Sequence, residues 1–266
     1  MRFRKIHGAG NDFILLSDPE PGSQKDWPKE AERLCARRTG VGADGLVISS
    51  LISKAPALLE VECFNADGSI ATMCGNALRC TAWAAHRDHG FGEMSLRMAG
   101  VTHEALVKDD SIWVTAEVGV IQPRRVHTVI HGKPTWFDSA HTGTEHVVAV
   151  VDDVEAIDAV MVGRLVRHHA DLAPLGTNVN FVQALGNQAL KIRTYERGVE
   201  EETLSCGSGA VAAVVIATMR GLVAPRAVTV HNRAGEPLTV RPHSNRPHRT
   251  QWVGGPVTNT FEGVLA

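Results

Sequence analysis

The sequence predicts an α+β protein of two pseudo-symmetric lobes, each a curved, mostly antiparallel sheet wrapped around one central helix. Two short segments look like copies of one another, Met73-Cys74-Gly75-Asn76-Ala77 and Ser205-Cys206-Gly207-Ser208-Gly209-Ala210, and each opens an Ala-rich run. Most of the remaining chain alternates apolar and polar residues as half-buried strands do. Helices are few, and the stretch from Ala210 to Ala217 is apolar nearly all round, which requires burial on every side. A length of 266 residues suits one large domain or two of ordinary size.

The elements follow in order. Met1 to His7 lacks the apolar core of a secretory signal and reads as a first strand, which points to a cytoplasmic protein. Residues 24–38 are predicted as a helix, with Leu34 and Cys35 on its apolar side. Strand-like Leu59 to Phe64 precedes Asn65-Ala66-Asp67-Gly68, and a helix is expected from Cys74 to about His89. Ser95 to Met98 and Ile112 to Glu117 alternate as strands. The lobe boundary falls near Gly119 to Pro123, giving lobes 1–118 and 119–255. In the second lobe His141 to Val150 matches the layout of His7 to Leu16, and Thr177 to Val182 parallels Ala43 to Ile48. A helix over 153–169 is expected to bury Ile157, Val160, Met161 and Leu165. Leu190 to Tyr195 and Val228 to Val230 read as strands, with Glu196-Arg197-Gly198 between the first of these and the helix from Cys206 to about Arg220. Asn65 precedes Cys74 by nine residues and Glu196 precedes Cys206 by ten, so the landmarks recur in the same order at nearly the same spacing.

Composition narrows the function. Hydrophobic residues make up 44% and charged residues 21%, with a formal net charge of -2. That balance does not suit nucleic acid or an acidic membrane surface. The basic group from Arg241 to Arg249 reads as a solvated loop. No stretch approaches the roughly 20 apolar residues that span a bilayer. Five cysteines, at 35, 63, 74, 80 and 206, with no Cys-x-x-Cys, do not make a disulfide scaffold. The histidines, His168-His169 included, show no ligand spacing, so no metal is expected.

The duplicated cysteines carry the chemistry. A thiol at a helix N-terminus faces backbone N–H groups and the positive end of the dipole, which favours its thiolate. Two such thiols suit an acid–base pair. Removing hydrogen from an amino acid's α-carbon without a carbonyl cofactor needs a placed base, a second group to return the proton, and stabilisation of the developing charge. The N–H groups around Gly75-Asn76 and Gly207-Ser208 would hold the α-carboxylate and absorb that charge. The glycine after each cysteine lets the backbone approach the ligand. The two helix ends are expected to point at one place from opposite lobes. Cys35, Cys63 and Cys80 read as small core residues, as do the aromatics Phe64, Trp83, Phe181 and Tyr195. Asn11, Asn65, Asn178, Glu196 and Arg197 sit beside strand ends and helix starts, where such residues serve either as turn and cap groups or as ligand contacts.

These motifs resemble the diaminopimelate epimerase family over nearly the whole chain. Lys5 to Phe13, Gly40 to Gly45, Phe64 to Ser69, Cys74 to Cys80, Tyr195 to Gly198 and Cys206 to Ala210 match its motifs in order. The resemblance implies a two-lobed epimerase that needs no cofactor and interconverts LL- and meso-diaminopimelate in the synthesis of lysine and peptidoglycan precursors. It implies Cys74 and Cys206 as base and acid, with substrate bound by Asn11, Asn65, Gly75, Asn76, Asn178, Glu196, Arg197, Gly207 and Ser208. Arg197 would grip the distal carboxylate and Glu196 an ammonium. It also implies a homodimer, and a last segment, 256–266, that returns to the first lobe as a strand. The chain departs from the family at Gly143-Thr144-Glu145-His146, where many relatives have Gly-Asn-Pro-His with the Asn touching substrate. Three other readings stay open: a different amino-acid racemase of the same fold, acting on histidine or a proline derivative, a non-catalytic small-molecule binding protein, and a redox protein using Cys74–Cys206 as a functional disulfide.

Overall fold

In the computed structural model, which describes residues 1–19, 25–108 and 111–265, the chain opens with a hairpin of β1 (Arg2–Gly8) and β2 (Asn11–Ser17). Its turn is Ala9-Gly10, both at positive φ (53° and 84°), the backbone that suits a tight two-residue connection. Helix α1 (Trp27–Cys35) follows, capped by the Asp26 side chain. It is shorter than the 24–38 expected, and Gln24 lies outside the described residues. The helix stops at Cys35 because the next loop folds back and takes its last carbonyls: Gly42 N–H donates to Leu34 O at 3.0 Å and Ala43 N–H to Cys35 O at 3.1 Å.

Strands β3 (Gly45–Lys54) and β4 (Ala57–Asn65) form an antiparallel pair. Helix α2 (Gly75–His89) then runs from Cys74 at its N-cap to Gly90, which caps it in the left-handed conformation. Strands β5 (Glu93–Met98), β6 (Val101–Lys108) and β7 (Ser111–Glu117) meander antiparallel. Two pairings are parallel, β2 with β3 and β4 with β5. Each is bridged by one helix, α1 or α2, as a parallel crossover requires. The sheet is thus mixed wherever a helix intervenes. Helix α2 packs against β1 through β6 and buries Ala77, Leu78, Cys80, Ala82, Ala84 and Ala85.

The same sequence of pairings recurs further on. After the hairpin of β8 (Ile121–Ile130) and β9 (Lys133–His141) comes β10 (Glu145–Val150), antiparallel to β9. Helix α3 (Ala159–Arg167) crosses to β11 (Asn178–Gly186), which lies parallel to β10 and antiparallel to β12 (Ala189–Glu196). The short β13 (Glu201–Thr203) leads to α4 (Gly207–Met219). Beyond it β14 (Val228–His231) pairs parallel with β12 and antiparallel with β15 (Leu238–Pro242). Parallel, antiparallel, parallel, antiparallel is the order in both halves. Helix α4 packs against β9 through β12, β14 and β15, and Gly207 through Val214 are all buried, as its all-apolar sequence demands. Strand β16 (Thr250–Gly255) leads into β17 (Thr258–Val264), which pairs antiparallel with β1. By compactness the chain divides into Met1–Val114 with Gly254–Ala266, and Thr115–Val253.

The helix expected over 153–169 begins only at Ala159, after Asp158, whose side chain caps it by accepting from Met161 N–H. Its buried stripe is Ala159, Val162, Gly163 and Val166, while Met161 and Leu165 are exposed. Both stripes have helical spacing. The smaller one wins because Tyr195 packs directly on the helix: a Cβ on Gly163 would lie 2.4 Å from Tyr195 Cβ. Ile157 is buried as expected, but from the turn ahead of the helix.

Candidate active site

Each of the two duplicated cysteines is the N-cap of a central helix. Cys74 has extended backbone (φ -143°, ψ 99°) and its Sγ accepts from Ala77 N–H at 3.5 Å. Cys206 repeats this (φ -125°, ψ 111°), accepting from Gly209 N–H at 3.4 Å. A sulfur in the place of a capping oxygen receives a backbone N–H and the positive end of the helix, which stabilises thiolate. The following N–H groups, those of Gly75 and Asn76 and of Gly207 and Ser208, belong to first turns that have no intrahelical acceptor to offer them. Both capping cysteines are partly exposed, whereas Cys35, Cys63 and Cys80 are buried. Burial pushes the Cys35 thiol up to about 11 and the Cys80 thiol up as well. A hydrogen bond with Cys74, then burial, push Cys63 well above the ordinary thiol range.

In the first unit the residues around Cys74 are joined by side-chain hydrogen bonds. Arg79 Nη2 donates to Asn76 Oδ1 at 2.6 Å. Asn76 Nδ2 donates to Asn11 Oδ1 at 3.1 Å, and the same oxygen lies 4.0 Å from Cys74 Sγ. Asn11 Nδ2 donates to Asp44 Oδ2 at 2.8 Å. Asn65 sits at the exposed end of β4, its Nδ2 donating to Ser69 Oγ at 2.9 Å across a tight turn.

In the second unit a buried chain runs to Cys206. Thr194 Oγ1 donates to Asn180 Oδ1 at 2.9 Å, so Asn180 Nδ2 faces His146 Nδ1, at 3.1 Å, and Val147 O, at 3.0 Å. His146 Nδ1 is then an acceptor and the ring proton is on Nε2, which donates to Ser208 Oγ at 3.0 Å. The Ser208 hydroxyl is left to donate to Cys206 Sγ at 3.5 Å. Burial, then the nearby His141 and Arg197, lower His146 to about 3, so it stays neutral in this role. Thr142 Oγ1 steadies the same helix end by donating to Ser208 O at 2.9 Å.

Asn178 ties the start of β10 to the end of β12. Its Nδ2 donates to Glu145 O at 3.0 Å and its Oδ1 accepts from Arg197 N–H at 2.9 Å. The Arg197 guanidinium donates to Thr144 Oγ1 at 3.1 Å. Glu196 ends β12 beside it. Glu200 braces this loop from below: its carboxylate accepts from Gly198 N–H at 3.0 Å, Tyr195 OH at 3.1 Å and Arg167 Nε at 3.2 Å. Burial works against its ionisation, but these donors hold Glu200 below the usual carboxylate range.

Within the first unit Asn11, Cys74, Gly75 and Asn76 therefore cluster, with Asn65 at the strand end facing Gly45 in register. Within the second, Gly207, Ser208 and Cys206 form one group and Asn178, Glu196 and Arg197 another. Sequence reading missed Asp44, Arg79, His146, Asn180 and Glu200. Arg79 was detectable as a charged residue among the small apolar ones of α2, and His146 as the one polar residue in His146-Val-Val-Ala-Val150. A cavity of about 570 Å3 beside the start of β10 is lined by Arg125, His141, Glu145, His146, Asp171 and Thr177 among others, and reaches neither Cys206 nor Arg197. Among the described residues no three His, Cys, Asp or Glu side chains converge as metal ligands, and no helix is long and apolar enough to cross a membrane.

A thiol capping each of two equivalent helices is the equipment of a proton-transferring isomerase of the racemase and epimerase class. Residues 3–122 and 139–253 match the family model described as diaminopimelate epimerase. A protein of Aquifex aeolicus named diaminopimelate epimerase is 35% identical over 276 residues, covering 100% of this chain and 98% of the relative. One of the same name from Methanocella arvoryzae is 34% identical, covering 100% and 96%. The chain belongs to the diaminopimelate epimerase family. Among solved structures, a hydroxyproline epimerase from Agrobacterium vitis with bound trans-4-hydroxy-L-proline has a TM-score of 0.72 at 16% identity, covering 99% of this chain and 91% of that one. A phenazine biosynthesis PhzF-family protein from Enterococcus faecalis has a TM-score of 0.74 at 12% identity, covering 100% and 98%. These last two share the fold.

Proposed function

We propose that this isomerase interconverts LL- and meso-diaminopimelate by proton transfer through Cys74 and Cys206, in the synthesis of lysine and peptidoglycan precursors. The observation that carries the reading is the duplicated thiol cap in a chain of this family. The mechanism requires the two thiols to reach opposite faces of one α-carbon when substrate is bound. One cysteine, as thiolate, takes the α-proton, and the C–H electron pair spreads onto the α-carboxylate. The other cysteine, as thiol, returns a proton to the opposite face. One C–H bond is broken and one formed, configuration inverts, and the two sulfurs have exchanged protonation states. The first-turn N–H groups of Gly75-Asn76 and Gly207-Ser208 bind the α-carboxylate and stabilise the charge that develops there. Asn11, Asn65 and Asn178 complete the site. Arg197 binds the distal carboxylate as a fork and Glu196 pairs with an ammonium. No cofactor is assigned to the reaction. A cytoplasmic homodimer belongs to the same reading, on the strength of the family alone.

The test is incorporation of solvent deuterium at the α-carbon, measured for LL-diaminopimelate beside proline, hydroxyproline and histidine. Exchange with diaminopimelate, abolished in both Cys74→Ala and Cys206→Ala with the fold retained, is the expected result. Exchange with another amino acid in place of diaminopimelate overturns the substrate. Near-full activity in either variant overturns the two-thiol mechanism.

A further inference from the structure

The side chains beneath the first catalytic helix form a chain with a donor at one end and an acceptor at the other. Arg79 is wholly buried in α2, and a Cβ on Gly8 would come within 3.1 Å of its Nη2, so the end of β1 closes over the guanidinium. A guanidinium can only donate. It therefore fixes Asn76 with Oδ1 toward Arg79 and Nδ2 toward Asn11, at the 2.6 and 3.1 Å separations observed. At the far end the Asp44 carboxylate can only accept. Its Oδ2 takes Asn11 Nδ2 at 2.8 Å and Asp12 N–H at 3.2 Å, while its Oδ1 takes Arg37 Nη2 at 2.7 Å. Turning either amide over would set nitrogen against nitrogen or oxygen against oxygen.

We propose that Arg79 and Asp44 are positioning residues of the active site, an ionised donor and an ionised acceptor that together lock the carboxamides of Asn76 and Asn11 so that Asn11 presents its oxygen beside Cys74. An oxygen there accepts from a substrate ammonium, whereas the reversed amide would confront it with a second donor. Neither residue is assigned a contact with substrate. The consequence for catalysis rests on the proposed function. The lock itself does not.

Asp44→Asn is the sharper variant because both carboxylate oxygens are in use. With Arg37 holding an oxygen on one side, the new NH2 faces Asn11 and Asp12 N–H, and if the amide turns over it faces Arg37 instead. The expected result with LL-diaminopimelate is a rise in KM of about tenfold with kcat nearly unchanged, the size of one hydrogen bond lost equally from ground and transition states. Arg37→Gln, which frees the other oxygen, should leave both constants within about twofold. The readout independent of substrate is nuclear magnetic resonance of the Asn side-chain amides in the free protein. Asp44→Asn should move the Asn76 signals, which Asp44 does not contact, and Arg79→Met should move those of Asn11. Signals confined to the directly bonded neighbour overturn the lock, and a fall in kcat with KM unchanged overturns its part in substrate binding. If Arg79→Met fails to fold, the Asp44→Asn spectrum decides. Coupled amide shifts in a protein that does not exchange diaminopimelate would uphold the lock and reject the substrate.

Discussion

His146 makes the stability of the second unit depend on mild acid. Its ring is wholly buried, receives Asn180 on Nδ1 and serves Ser208 from Nε2, and its pKa is lowered from 6.5 to about 3. Between those values the unfolded chain binds a proton that the folded chain refuses. Stability is therefore full above pH 6.5 and falls as the pH drops toward 3. Each pH unit in that window costs about 1.4 kcal/mol, so about 2 kcal/mol is lost at pH 5, or about 4–8 °C in melting temperature for a protein of this size. The assay is thermal unfolding of the wild type and of His146→Gln at pH 8, 6 and 5. The glutamine keeps a donor for Ser208 but does not titrate, and the wild-type-minus-variant difference isolates this one group from the other histidines. The difference should shrink by about 2 kcal/mol between pH 8 and pH 5. An unchanged difference, or a resonance of His146 that titrates near pH 6.5 in the folded protein, refutes the assigned buried neutral state.

Three further outcomes are expected. Thr144→Val removes the acceptor of Arg197 Nη2 and should raise KM for diaminopimelate about fivefold, a loss of about 1 kcal/mol from a partly exposed charged hydrogen bond; Thr144→Ser should restore it, and steady-state kinetics of the two decide. Gly209→Ala would put a Cβ 2.6 Å from Asn180 Oδ1, an oxygen already held by Thr194. Overpacking of about 1–3 kcal/mol should outweigh the roughly 1 kcal/mol gained in helix propensity, read as a lower denaturation midpoint. Iodoacetamide at neutral pH should label Cys74 and Cys206 first and leave Cys35, Cys63 and Cys80 unmodified in the folded protein, by mass spectrometry of peptides. Early labelling of Cys35, whose thiol is pushed up to about 11, would contradict the burial argument.

The features readable in the sequence were those set by local chemistry. Helix α2 ends at His89 and α4 at Met219, close to the expected limits, because a glycine at positive φ follows each closely, Gly90 and Gly221. Strands that alternate apolar and polar residues, such as β5 and β7, are legible on equally local grounds. What failed was the choice between equivalent patterns. In α3 two stripes had helical spacing, and nothing local said that Tyr195 would occupy the side of Gly163. The site divides likewise. Cys74 and Cys206 announced themselves through repetition and the glycine after each. Asp44 and Arg79 lie 35 positions apart and His146 and Ser208 lie 62 apart, so their roles arise only when strands and helices are assembled. A lone Asp, Arg or His carries no mark of the partner it will meet.

The duplicated halves keep the thiol cap but support it by different means. Under α2 the chain runs between two ionised groups, Arg79 and Asp44, through two amides. Under α4 it runs through neutral groups, Thr194, Asn180, His146 and Ser208, and ends on the sulfur itself. A reaction in which the thiols exchange roles needs both sulfurs to be good bases and good acids, which the common cap supplies. It does not need identical surroundings, because the substrate's two ends differ: one α-carbon reacts while the other amino-acid head must only be recognised. Under the proposed function the common cap serves proton transfer in both halves, while Arg197, Glu196 and the Asn178 contacts, which belong to the second half alone, serve recognition.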